Sequence, residues 1–127
     1  MFSTIGAIAL GGATGAIARF GVNHTTIKLF GADFPWGTMI VNVVGSFLMG
    51  VVIVKFAHMD GVSPALRSFI VTGFLGAFTT FSTFSLDFAT LWERGDMMQS
   101  FAYMLASVVL SISALFLAFW FARGFLS

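Results

Sequence analysis

Hydrophobic residues run through the chain in four long stretches, separated by short clusters of charged and polar residues. An α-helix rises 1.5 Å per residue, so it crosses the hydrocarbon core of a bilayer in about 20 residues. Since the connections are short, successive helices should run antiparallel, and we expect one transmembrane domain over residues 1–127. The pattern predicts an all-α membrane protein with spans at 2–23, 35–57, 67–91 and 97–122.

The composition agrees with a membrane protein. Hydrophobic residues make up 58% of the 127 residues and charged residues 9%, whereas globular domains carry about 25% charged residues. The chain has no cysteine, which excludes disulfides and thiolate metal sites. Its net charge of +1 is too small for a nucleic-acid-binding surface. No Ser/His/Asp grouping or phosphate-binding loop stands out in the sequence, so we do not expect an enzyme.

The basic residues divide equally between the two sides of the membrane. With four spans, both termini and the central loop share one side. The two sets are Lys55, Arg67 and Arg123 on that side, and Arg19, Lys28 and Arg94 on the other. Lys/Arg asymmetry sets orientation, and three against three provides none. Two interpretations stay open: one early charge or another cell component decides the orientation, or the chain inserts both ways.

The third span is the most polar. Gly73 and Gly76 are followed by the hydroxyl-rich sequence TTFSTFS at 79–85. Glycine weakens a helix, and Ser and Thr side chains compete for its backbone hydrogen bonds, so we predict a break near its middle, between about 76 and 82. Carbonyls freed there would form a cation site. The alternative is a bent helix whose hydroxyls bond to the preceding turn.

The first two spans each carry an unusual polar side chain. Arg19 ends the sequence GGATGAIAR, in which Gly11 and Gly15 form a GxxxG helix-packing motif. Its guanidinium either snorkels to the interface or faces a water-filled vestibule and attracts anions. Asn42 lies about two turns into the second span, where an asparagine often bonds a neighbouring helix.

The fourth span carries a polar stripe, because Tyr103, Ser107 and Ser111 recur every fourth residue. Packing of small residues explains the serines without transport, but it does not explain the tyrosine as readily. Phe81 and Phe84 in the third span are three residues apart and share a helix face. They either pack or line a narrow route in which the positive ring edges stabilise a desolvated anion.

The polar groups predicted inside the membrane are therefore neutral. A proton-coupled pump normally has a titratable group at mid-membrane, and Asp87, the only candidate, lies near a span end. A cation channel more often uses carboxylate rings. The pattern favours a passive pathway for a small anion. Two alternatives stay open: a small antiparallel proton-coupled exporter of drugs or metabolites, and an accessory membrane subunit that transports nothing.

The sequences GGATGAIARF, WGTMIVNVVGSF and GAFTTFSTFS, in this order, resemble the Fluc (CrcB) family of small bacterial fluoride channels. The resemblance covers essentially the whole chain. It implies passive fluoride export by an antiparallel, dual-topology homodimer in the bacterial inner membrane, with two pores and a structural Na⁺ at the dimer centre. One departure is Asp87, where members usually have glutamate; the shorter side chain puts ion transfer through this carboxylate in question.

The resemblance also implies roles for single residues. Phe81 and Phe84 would be the pore phenylalanines, and Asn42 the pore asparagine. Backbone carbonyls of Gly76 and Thr79 from each subunit would bind the Na⁺. The polar track would contain Ser82, Thr83, Ser107 and Ser111, with Tyr103 beside it, and Arg19 would lie at the vestibule.

Overall fold

The computed structural model describes residues 1–125, and this part of the chain is built from helices and turns, without a strand. The predicted all-α class is therefore confirmed. The helices, in chain order, are α1 (Phe2–Phe30), α2 (Trp36–Ala57), α3 (Pro64–Arg67), a π-helix (Ser68–Leu75), α4 (Gly76–Phe78), α5 (Ser82–Glu93) and α6 (Met97–Phe125).

Within residues 1–125, four helical segments are long and apolar enough to cross a membrane, as predicted. They are Phe2–Phe30, Trp36–Ala57, Pro64–Glu93 and Met97–Phe125. The chain is thus a multi-pass membrane protein. The first helix continues to Phe30 instead of ending near residue 23; no proline interrupts it, since the first proline of the chain is Pro35. It ends at Gly31, whose φ of 83° lies in the left-handed region that glycine adopts without strain.

The third segment changes its helical geometry along its length. It begins with α3 and the wider π-helix, and α4 then ends before Thr79, which is extended with φ −90° and ψ 160°. Residues 79–81 belong to no helix, and α5 begins at Ser82. There the Thr80 hydroxyl accepts the N–H of Thr83 at 3.2 Å, as an N-capping side chain does. The Thr79 N–H still donates to the Leu75 carbonyl, and the Phe81 carbonyl accepts the N–H of Ser85. The N–H and carbonyl of Thr80 find their partners outside the third segment.

Glycines bring the backbone of α1 into contact with the π-helix. A Cβ on Gly11 would overlap the carbonyl oxygen of Phe69, and a Cβ on Gly15 would overlap that of Phe74. From the other side, a Cβ on Gly73 would lie 3.0 Å from the Gly11 Cα. The close helix packing predicted from the GxxxG motif is confirmed.

We expect Gly15→Ala to destabilise the fold, because the new methyl group overlaps backbone that cannot move aside alone. Overpacking of this kind costs about 1–3 kcal/mol. The midpoint of thermal unfolding in detergent should fall. Gly12→Ala is the matched control, since nothing in the protomer lies within 4 Å of a Cβ there. An unchanged midpoint for Gly15→Ala would contradict this packing.

α2 and α6 touch at two levels. A Cβ on Gly50 would lie 2.7 Å from the Ala118 Cβ and 2.8 Å from the Leu115 carbonyl oxygen, so the helices meet closely near the end of α2. Nearer its beginning, a buried cluster shared by α2, α5 and α6 contains Met39, Leu91 and Tyr103. The stretch of α2 and α6 between these two contacts borders the site described next.

Candidate functional site

A cavity of about 290 Å³, called here the central cavity, lies between α2 and α6 beside residues 79–81. Its lining consists of Asn42, Ser46, Thr79, Thr80, Phe81, Phe84, Ser107, Val108, Ser111 and Ile112. None of these ten side chains is ionisable, and six carry a hydroxyl or an amide. The cavity therefore offers neutral hydrogen-bonding groups to whatever occupies it.

Asn42 joins α2 to the third segment through two hydrogen bonds with the backbone of Thr80. Its Nδ2 donates to the Thr80 carbonyl at 3.0 Å, and its Oδ1 accepts the Thr80 N–H at 2.8 Å. In a continuous helix this N–H would donate to the Gly76 carbonyl, so the asparagine replaces a lost helical bond. The amide has a second N–H, which is the group it can offer to a ligand.

Two serines of α6 contribute buried hydroxyls to the central cavity. Ser107 and Ser111 are one helical turn apart and lie on the same face of α6. Neither Oγ atom has a hydrogen-bond partner in the part of the chain that the structure describes. An unsatisfied buried hydroxyl costs about 1–3 kcal/mol. The protomer alone therefore leaves a place for a hydrogen-bond acceptor beside these two serines.

Phe81 and Phe84 form the aromatic side of the central cavity. Their ring centroids are 5.7 Å apart, with the ring planes tilted by 48°. The Phe84 ring also lies 5.2 Å from the ring of Tyr103, which fixes it against α6. The Phe81 side chain is 78% exposed, so this ring extends beyond the protomer that carries it.

Tyr103 lies beside the central cavity and not in its lining. The side chain is fully buried, and its hydroxyl donates to Asp87 Oδ2 at 3.1 Å. Phe34 packs edge-on against the same ring, with centroids 5.5 Å apart. The carboxylate therefore holds the tyrosine that supports Phe84.

Arg19 contacts the third segment from the side of α1. Its Nε donates to the carbonyl of Ala77 at 3.0 Å, at the end of α4, where helix carbonyls lack partners and a cation is favourable. The arginine also borders a second cavity of about 210 Å³. Thr80 borders both this cavity and the central one, so the cavity that contains the positive charge adjoins the central cavity.

The remaining predicted hydroxyls lie outside the central cavity. Ser82 Oγ is 3.4 Å from the hydroxyl of Thr80. Thr83 borders the second cavity and also a third cavity of about 170 Å³, which includes Asp87. Thr83 therefore faces the arginine side of the site, whereas Ser82 is exposed and lines none of these three cavities. Asn42, Phe81, Phe84, Ser107 and Ser111 meet in the central cavity.

A family model described as "CrcB-like protein, Camphor Resistance (CrcB)" matches residues 6–119. The chain belongs to the CrcB-like family. The family resemblance predicted from the three sequence motifs is confirmed by this match, which covers all three.

Curated relatives of this CrcB-like chain agree with the assignment. A protein of Mesorhizobium japonicum named "Fluoride-specific ion channel FluC" is 52% identical over 117 residues, which are 92% of this chain and 94% of the relative. A protein of the same name from Cereibacter sphaeroides is 50% identical over 127 residues, the full length of both chains. A third, from Acidithiobacillus ferrooxidans, is 43% identical over 124 residues, or 98% of this chain and 99% of the relative.

Sequence reasoning missed two hydroxyl residues in the lining of the central cavity, Thr80 beside the predicted Thr79 and Ser46 on α2. Ser46 lines the central cavity from α2, four residues after Asn42. The same one-turn spacing identified Ser107 and Ser111 as a stripe, so the signal was present in the sequence. It was overlooked because α2 carries only this one serine.

Gly76 and Thr79, the predicted Na⁺ ligands, lie at the end of α4. The Thr79 N–H and its hydroxyl both donate to the carbonyl of Leu75, at 3.1 and 2.9 Å. Within residues 1–125 no group of three or more His, Cys, Asp or Glu side chains could hold a metal ion. A cation here would have to use backbone carbonyl oxygens, which irregular backbone in membrane proteins supplies to Na⁺.

Proposed function

We propose that this CrcB-like protein is a fluoride-selective channel that lets the anion leave the cell passively, down its electrochemical gradient. The observation that carries the proposal is the central cavity, where the unpartnered buried hydroxyls of Ser107 and Ser111 share a lining with Phe81 and Phe84. Relatives that align over nearly the whole chain are named fluoride-specific ion channels, which supports fluoride as the anion.

Neutral donors suit a small anion that must pass without being trapped. Fluoride loses its hydration shell on entry, and each hydrogen bond from the protein to the ion is worth about 1.5–3 kcal/mol. The partly positive edges of aromatic rings add attraction. Conduction needs binding that is weak enough for release. Arg19 borders the second cavity, where a full positive charge raises the local anion concentration without holding the ion inside the pathway.

Passive conduction is favoured over proton coupling by the lining of the central cavity. A coupled exporter needs a group that gains and loses a proton along the substrate path. The ten lining residues include no such group. Asp87 borders the third cavity and accepts a hydrogen bond from Tyr103. In this position it holds the tyrosine that packs against Phe84.

We propose further that two inverted copies form an antiparallel, dual-topology homodimer in the bacterial inner membrane, with two pores. Phe81 is 78% exposed at the interruption of a membrane-spanning segment, and a second copy would cover this ring and one side of the central cavity. A two-fold axis in the membrane plane relates such copies and gives each pore the same lining. The equal division of Lys and Arg between the two sides supports insertion in both orientations.

At the dimer centre we propose a structural Na⁺, bound by the Gly76 and Thr79 carbonyls of both subunits at the break in the third segment. The Thr80 N–H donates to Asn42, so it does not continue the helical bonding to the Gly76 carbonyl. Four oxygens from two subunits could then surround the ion. Without a partner, carbonyls at this depth would face lipid, which is costly.

Fluoride release from vesicles containing only this polypeptide tests the proposed function. Vesicles loaded with potassium fluoride are diluted into fluoride-free buffer of equal pH, and a potassium ionophore balances the charge. We expect rapid release at a fluoride electrode without a proton gradient. Release that requires an imposed proton gradient would indicate an exporter. Release no faster than from fluoride-loaded vesicles without protein would indicate an accessory subunit. Either result contradicts the proposal.

A further inference from the structure

Ser46 gives the central cavity a hydrogen-bonding wall on α2 as well as on α6. It follows Asn42 by four residues, so both side chains project from one face of α2. Ser107 and Ser111 line the same cavity from α6. The cavity therefore has hydroxyl groups on α2 as well as on α6.

The unpartnered hydroxyls indicate that this space receives a hydrogen-bond acceptor. Ser107 is only 5% exposed, and neither its Oγ nor that of Ser111 has a partner within residues 1–125. Serine and threonine in a helix can donate to the carbonyl four residues earlier, and Thr14 and Thr90 do so at 3.0 and 2.9 Å. The two serines of the central cavity do not use this internal partner, which leaves their protons for a ligand.

Helix packing places Ser46 at the far end of the cavity from Asn42. One turn beyond Ser46, Gly50 brings α2 against Leu115 and Ala118 of α6, so the space between the helices closes there. α2 carries no further polar side chain until Lys55. Any ion that moves along the cavity beyond the Asn42 amide therefore meets Ser46 as the last donor on this helix.

From this arrangement we propose that Ser46 is a third hydroxyl donor to the conducted anion, and that it acts together with Ser111 one helical turn beyond Asn42. The inference rests on the proposed fluoride conduction. Each O–H replaces one hydrogen bond from the water that the ion leaves behind. Donors on two helices keep the ion solvated along the cavity, where one helix alone would leave part of its surface without partners.

The test compares fluoride release from vesicles containing wild type, Ser46→Ala, Ser46→Thr or Ser113→Ala, after size-exclusion chromatography of each protein. Ser46→Ala should lower the initial rate about tenfold, because a hydrogen bond to a charged acceptor is worth at least one tenfold step. Ser46→Thr keeps the donor and should retain at least about half of the rate. Ser113→Ala removes an exposed hydroxyl elsewhere on α6 and should release fluoride as wild type does.

The outcomes separate this inference from the proposed function. Wild-type release combined with full release by Ser46→Ala overturns the role of Ser46 and leaves the channel proposal standing. A Ser46→Thr rate as low as that of Ser46→Ala also overturns it, because the position would then require a particular size and not a hydroxyl. If vesicles containing the wild-type protein retain fluoride as well as protein-free vesicles do, the channel proposal fails, and the role of Ser46 fails with it.

Discussion

Phe81→Ile and Phe84→Ile each lower fluoride flux at least about 100-fold, which corresponds to about 2.7 kcal/mol of additional barrier; this is the largest effect we expect. Both rings line the central cavity. Isoleucine keeps the side chain apolar but has no ring edge with partial positive charge. The desolvated anion would lose this attraction and gain none in exchange.

The fold should survive these two substitutions, because isoleucine preserves most of the buried apolar area. Size-exclusion chromatography and the thermal unfolding midpoint check this directly. Phe116→Ile is the matched control, since Phe116 is exposed on α6 and lies outside the cavity lining. Normal flux from both Phe81→Ile and Phe84→Ile would reject the role of the aromatic side of the cavity.

Asn42→Ala should abolish flux and also destabilise the protein. The substitution removes both hydrogen bonds to the Thr80 backbone, at 3.0 and 2.8 Å. It leaves an N–H and a carbonyl without partners inside the membrane, at a cost of about 1–3 kcal/mol for each group. It also removes the only amide from the lining of the central cavity.

The measurement for Asn42→Ala has two readouts, the rate of fluoride release and the unfolding midpoint in detergent. Both should fall, because the asparagine holds the irregular backbone in place and also lines the cavity. Val44→Ala is the control, since Val44 lies on the same helix, is 43% exposed and is not part of the cavity lining. An Asn42→Ala protein with wild-type flux and midpoint would show that residues 79–81 keep their conformation without this side chain.

The features that could be predicted from the sequence depend on residues that lie close together along the chain. The lengths of the apolar stretches identified four membrane-spanning helices, and the GxxxG motif identified the glycine contact between α1 and the third segment. The one-turn spacing of Ser107 and Ser111 placed both on one face. These features follow from helix geometry and from the length that a bilayer requires.

Contacts between distant segments could not be predicted in the same way. Arg19 meets the Ala77 carbonyl across 58 residues, a contact that depends on how α1 is rotated and how deeply it packs. The hydrogen bond from Tyr103 to Asp87 has the same origin. The π-helix at Ser68–Leu75 has an apolar sequence that an ordinary α-helix would also accommodate. Rotation and depth are set by tertiary packing, which a single sequence does not specify.

The central claim is that this chain alone conducts fluoride passively and rejects larger halides, through a pathway built from uncharged groups. Paired vesicles provide the most direct measurement: one batch is loaded with potassium fluoride and the other with potassium chloride, both at equal pH and with a potassium ionophore. We predict rapid loss of fluoride and retention of chloride. Retention of both anions, or equal loss of both, would contradict the account.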